Sequence, residues 1–133
     1  MVGRHRHHVL VVEDNLDTRQ AIELVLELEG YSVQGAEDGQ EALACARSLP
    51  RPCLILLDVN MPRMDGAAFR REQLADPRLR EIPVVVLSAL PRHHPMLGPL
   101  ADVEMFQKPI DADKLIALVE RHCPSGASHY AIA

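Results

Sequence analysis

The chain has 133 residues, of which 47% are hydrophobic, and a formal net charge of −5 at pH 7. This is the length of one domain, with enough apolar residues for one packed core. Basic residues cluster only at the N-terminus, so a direct nucleic-acid partner is not expected, and apolar runs such as 53–57 and 84–87 are far too short to span a bilayer.

Residues 1–8, which include Arg4-His5-Arg6-His7-His8, read as a solvated, disordered tail and not as a metal site. Residues 9–12 are apolar and run directly into Glu13-Asp14, which makes them a buried strand and too short for a signal-peptide core. A soluble, cytoplasmic chain is therefore expected. Residues 16–29 carry Ile22, Val25 and Leu26 at helical spacing and stop at Gly30, a residue suited to follow a helix. Residues 31–36 read as a second strand. Asp38 and Glu41 have capping-box spacing, so a helix should start there and run to Ser48, before Pro50 and Pro52 end it.

The strongest strand signal is 53–57, five apolar residues that lead straight into Asp58. A loop follows through Gly66, then a helix over 67–75 that Asp76-Pro77 breaks. Residues 83–87 form a fourth strand ending at Ser88, and 105–107 a short fifth ending at Lys108-Pro109. Asp111 is a suitable N-cap for a last amphipathic helix holding Leu115, Ile116 and Val119 and ending near His122. Residues 123–133 read as a C-terminal tail, which leaves one domain over 9–122. Cys45, Cys53 and Cys123 lie far apart with no CxxC pair, so reduced structural thiols are expected, and neither a zinc site nor a redox pair.

Strands alternate with helices, and the strands are apolar on both faces. That predicts an α/β fold, a doubly wound parallel sheet with helices on both sides joined by right-handed crossovers. Five strands fit the flavodoxin-like order 2-1-3-4-5.

In such sheets, sites form at the carboxyl ends of the strands, near the point where the order reverses. The strand ends deliver Glu13 and Asp14, Asp58, Ser88 and Lys108. Three converging carboxylates repel one another unless a cation joins them. An all-oxygen set of that charge suits Mg²⁺ and not zinc. Lys108 is then placed to hold one phosphoryl oxygen, and Ser88 to donate to another, with a carboxylate as nucleophile. The chain has two lysines against twelve arginines, so a lysine at this strand end points to a compact charge and not a planar fork. Taken singly, these residues also read as turn or strand-end residues; the constellation carries the inference. A dinucleotide fingerprint is absent after the first strand, where Glu13-Asp14-Asn15 stands. A phosphatase of the haloacid-dehalogenase type would need an acid at position 60, which is Asn60.

The runs Val11-Val12-Glu13-Asp14-Asn15, Leu56-Leu57-Asp58-Val59-Asn60-Met61-Pro62-Arg63-Met64-Asp65-Gly66, Val86-Leu87-Ser88-Ala89 and Lys108-Pro109 together resemble the receiver domain of bacterial response regulators, the CheY-like superfamily of two-component signalling. The resemblance implies that Asp58 is the phosphoacceptor. It makes Glu13 and Asp14 the acidic pair that binds Mg²⁺ with Asp58, and the Asn60 backbone carbonyl a further ligand. It makes Ser88 the switch hydroxyl, Lys108 the phosphoryl-binding lysine, and the bond before Pro109 cis. It also implies a histidine kinase or phosphotransfer protein as donor, with a population shift at the face formed by the family's fourth helix, fifth strand and last helix. Homodimers through that face are a further implication.

Two departures stand out. Between Ser88 and Lys108, where the family carries its fourth helix, three prolines and a glycine fall within 91–99, so the segment 89–104 is expected to be irregular. His93 and His94 in it read as exposed loop residues. The family's switch aromatic is replaced by Met105, and Phe106 beside it faces the other way by strand alternation. The leading expectation is a phosphorylation switch, not an enzyme; with no output domain after the last helix, either the unknown effector is another protein or the chain is a piece of a longer one. The alternative is a phosphorylation-independent interaction module on the same fold, and the third reading a Mg²⁺-dependent phosphatase.

Overall fold

A computed structural model describes residues 8–48, 51–59, 66–91, 100 and 103–123. The elements run β1 (His8–Val12), α1 (Leu16–Leu28), β2 (Ser32–Ala36), α2 (Gly39–Ser48), β3 (Leu54–Val59), α3 (Gly66–Ala75), β4 (Val84–Ser88), β5 (Glu104–Gln107) and α4 (Ala112–His122). The five strands form one sheet in the order β2-β1-β3-β4-β5, and every neighbouring pair is parallel. This is the doubly wound, CheY-like arrangement expected from the sequence.

Local chemistry accounts for the helix ends. Asn15 caps α1 by accepting the Thr18 N–H at 2.9 Å, and Gly30 leaves the helix with φ 96°, a left-handed conformation that suits glycine. Asp38 accepts the Glu41 N–H at 2.8 Å, while the Glu41 carboxylate reaches back to the Glu37 N–H at 2.7 Å. That is the capping box read from the sequence, with its return bond one residue earlier. Asp111 accepts the Lys114 N–H at 2.8 Å at the start of α4.

Strand alternation divides the apolar residues into two cores, one on each face of the sheet. Leu10, Val12, Ile55, Leu57 and Val86 pack with Ala42, Leu43, Ala46 and Phe69 of α2 and α3. Val9, Val11, Leu54, Leu56, Val85 and Leu87 pack with Ile22 and Leu26 of α1 and with Leu115, Leu118 and Val119 of α4. β3 and β4 are buried along their whole length, whereas edge strand β2 is largely exposed.

Three expectations need correction. His8, read as tail, is the first residue of β1 and pairs with Ser32, because β1 needs a partner for each residue of the β2 edge. Cys123, also read as tail, is fully buried against the α1–α4 core. Cys53 and Cys123 were expected as reduced thiols; they form a disulfide with Cα atoms 5.8 Å apart. The crossover of α4 folds the end of the helix back over the start of β3, a proximity that sequence separation hides. Cys45 is free.

Among the described residues, no helix is long and apolar enough to cross a membrane. The irregular segment expected over 89–104 falls mostly outside the described residues, as do Asn60, His93 and His94.

Candidate functional site

The carboxyl ends of β1, β3, β4 and β5 lie side by side, and each carries a polar residue on an otherwise apolar strand. Glu13 follows β1 directly and is fully buried; its N–H donates to the Ala36 carbonyl at 2.9 Å, which extends the β1–β2 pairing by one residue. The chain then turns sharply: the Asn15 N–H donates to Glu13 Oε2 at 2.7 Å, and Asn15 caps α1. Asp14, between them, is half-buried. The Glu13 carbonyl accepts Arg19 Nη1 at 2.8 Å, so the first turn of α1 fastens the acidic turn from outside.

Asp58 is inside β3 and not just after it, paired with Leu87 and only 1% exposed. A carboxylate at that depth needs a counter-charge, and the Lys108 ammonium supplies one in a salt bridge to Asp58 Oδ1. Lys108 is aimed by its backbone: its N–H donates to the Ser88 carbonyl at 2.8 Å, continuing the β4–β5 ladder, and the Lys108–Pro109 bond is cis. Ser88 is fully buried beside Val59, and its Oγ accepts the Leu90 N–H at 2.9 Å.

Electrostatics tie the acids together. Burial pushes the Glu13 carboxyl up from 4.5 to about 8; the Asn15 N–H opposes this, and hydrogen bonding with Asp58 and Asp14, plus the Asp58 charge, adds to it. Near neutral pH Glu13 therefore keeps its proton, chiefly because burial disfavours its charged form. Among the described residues, no three Asp, Glu, His or Cys side chains form a ready-made metal cage. The donors present are carboxylate oxygens, the set that suits Mg²⁺, an ion that takes one or two carboxylates and keeps waters in its remaining positions. Asp14, Asp58 and Glu13 fit that role.

Met105 and Phe106 sit on β5 next to the site. Met105 packs against the α2–α3 core and Phe106 against the α1–α4 core, with the Arg121 guanidinium 5.8 Å from the Phe106 ring centre. The two side chains thus face opposite sides of the sheet. Sequence reasoning passed over Asn15 and Arg19, which shape the acidic turn. A capping residue directly after the acids was the available signal for Asn15. A surface groove between α2 and α3, lined by Asp38, Leu43, Arg47, Phe69 and Glu72, contains none of the strand-end residues.

Comparison with known proteins agrees with this geometry. The response regulator receiver domain family matches residues 9–120. The response regulator PleD of Caulobacter vibrioides is 41% identical over 114 residues, which cover 84% of this chain and 25% of PleD. A 14.6 kDa uncharacterized protein from the sodA1 3′ region of Leptolyngbya boryana is 35% identical over 118 residues, 86% of this chain and 88% of that one. The solved structure of the chemotaxis response regulator CheY4 of Vibrio cholerae has a TM-score of 0.73 and 30% identity, covering 88% of this chain and 98% of that one. The receiver domain of a sensor histidine kinase from Pseudomonas aeruginosa has a TM-score of 0.75 and 29% identity, covering 86% of this chain and 95% of that one; it is described with a magnesium ion coordinated in its active site cleft.

Proposed function

Because this chain belongs to the response regulator receiver domain family, we propose that it is a phosphorylation switch in which Asp58 takes a phosphoryl group from a histidine kinase or phosphotransfer protein. The observation that carries this reading is the Asp58–Lys108 salt bridge at the end of a buried strand, with Glu13 and Asp14 beside it.

In the transfer, an Asp58 carboxylate oxygen attacks phosphorus, a P–O bond forms, and the P–N bond to the donor imidazole breaks. The Lys108 ammonium, already at Asp58, moves its contact to a phosphoryl oxygen and offsets the added charge. Ser88 Oγ accepts the Leu90 N–H, so its own proton is available to donate to a second phosphoryl oxygen. Asp14, Asp58 and Glu13, with the Asn60 carbonyl, would hold Mg²⁺, which would supply further charge neutralisation. Drawing Lys108 and Ser88 toward the phosphoryl group shifts the population of conformers at β5 and α4, and a downstream effector protein in the cytoplasm reads that shift.

On this reading the chain is not an enzyme. Asp58 is consumed in each event and restored by slow hydrolysis. The test is binding of beryllofluoride, a phosphoryl mimic, followed by fluorine NMR. One bound species is expected with Mg²⁺, and none in Asp58→Ala. Failure of the wild-type chain to bind it at saturating Mg²⁺ would favour a phosphorylation-independent interaction module.

A further inference from the structure

Cys53 stands immediately before β3, the strand that carries Asp58, and Cys123 caps α4. Their disulfide joins positions 70 residues apart. It lies at the amino end of β3, so it ties α4 to that strand at the end opposite Asp58. The two residues differ in burial: Cys53 is partly buried, whereas Cys123 is fully buried.

The same end of α4 has non-covalent fastenings as well. The Tyr31 hydroxyl donates to the Cys123 carbonyl at 3.3 Å, and Glu104 of β5 contacts both Arg121 and His122, the latter at 2.9 Å. Leu115, Leu118 and Val119 are buried beneath the helix. With these in place, breaking the S–S bond leaves α4 docked and only less firmly held. Exchange at an accessible sulfur, and a fold that survives reduction, are the two requirements of a reversible redox site.

We propose that Cys53 and Cys123 form a redox modification site, a dithiol/disulfide pair that exchanges with thiols and disulfides of the glutathione class and sets how firmly α4 is clamped to β3. In oxidation the Cys53 thiolate attacks the external disulfide, forms a mixed disulfide and releases one thiol. The Cys123 thiolate then displaces the second thiol from Cys53. The pair loses two protons and two electrons, and the external disulfide becomes two thiols. Reduction runs in reverse, with the external thiolate attacking the sulfur of Cys53, the less buried of the two residues. Cys45 takes no part; burial pushes its thiol up, away from the reactive thiolate.

The experiment equilibrates the whole chain in glutathione buffers of graded ratio, traps free thiols by alkylation and reads intact mass, with amide hydrogen exchange on parallel samples. The expected result is a single two-electron transition in which Cys53 and Cys123 are lost to alkylation together while Cys45 stays modifiable. On reduction, exchange over residues 112–123 should rise about tenfold, and the melting temperature should fall by on the order of 10 °C because the disulfide closes a long loop. Cys53→Ser should show neither response to reductant, and Cys45→Ser should show both. Full alkylation of Cys53 and Cys123 at the most oxidising ratio would overturn the site. So would a Cys45 disulfide, or a Cys53–Cys123 bond whose reduction leaves exchange in α4 unchanged.

Discussion

Lys108 and Asp58 form a salt bridge that spans β4, from the residue after β5 to the second-last residue of β3. The Lys108 side chain is 21% exposed, whereas that of Asp58 is shut in at 1%. The buried Asp58 carboxylate thus has its counter-charge in place from the far side of β4.

Replacing Lys108 with methionine keeps most of the side-chain volume and removes the charge. Asp58 is then left with acidic neighbours in a buried pocket. Lys108→Met should lower stability by roughly 1–3 kcal/mol at pH 7, measured by urea unfolding without divalent ions, and added Mg²⁺ should recover part of the loss. An unchanged urea midpoint would show that the bridge contributes nothing to the fold.

The acid cluster sets a pH dependence whose sign follows from Glu13. Burial chiefly, with Asp58 and Asp14 adding to it, raises this carboxyl from 4.5 to about 8. Between those values the folded chain holds a proton that the unfolded chain has released. The Glu13 contribution to stability therefore falls as pH rises through this window, and its cost is complete above it. A cation among the acids displaces the same proton, so Mg²⁺ affinity should rise from pH 6 to pH 9 with proton release. Titration calorimetry in buffers of different ionisation enthalpy measures both. Glu13→Gln, which has no proton to lose, should flatten the dependence.

Gln73 of α3 is fully buried and holds the turn before β4. Its Nε2 donates to the Leu79 and Ile82 carbonyls, both at 3.0 Å, and its Oε1 accepts Arg70 Nη1 at 2.7 Å. Gln73→Leu fills the space but leaves the Ile82 carbonyl without the Gln73 donor, while the Leu79 carbonyl keeps the Ile82 N–H at 3.0 Å. It should destabilise the chain by roughly 1–3 kcal/mol, read as a lower urea midpoint, with phosphorylation of the folded fraction retained.

Asp76 ends the same helix. The Arg78 side chain and N–H, with Arg47 Nε at 3.0 Å, hold its carboxyl well below the usual carboxylate range. A depressed acid contributes stability above its unfolded value near 3.8, and that contribution is lost as pH falls through the folded value. Asp76→Asn should therefore be less stable than wild type at pH 6, and the gap should close with acidification below about pH 4. Thermal melts across that range follow it.

The fold was legible because each central strand is an unbroken apolar run closed by a polar residue, as in Leu56-Leu57-Asp58 and Val86-Leu87-Ser88. Period-two burial and short connections leave few ways to assemble such strands. The site was legible for the same reason, since parallel strands bring their carboxyl ends together without further instruction. Alternation also placed Met105 and Phe106 on opposite faces. What stayed hidden depends on contacts between distant segments. Cys53 and Cys123 carry no local signal of pairing, and Gln73 looks like any polar helix residue until its two carbonyl partners are known. His8 looked like tail because a strand's first residue is fixed by its neighbour, here Ser32, and not by its own side chain.

Acceptance of the phosphoryl group by Asp58 is the step on which the proposed switch depends. Intact mass is read after incubation with Mg²⁺ and acetyl phosphate, and a parallel sample is reduced with borohydride and mapped by peptide mass spectrometry. One phosphoryl group per chain is expected, with the reduced residue at position 58, and no adduct in Asp58→Ala or without Mg²⁺. An adduct at another residue, or none on the folded wild-type chain, would contradict it.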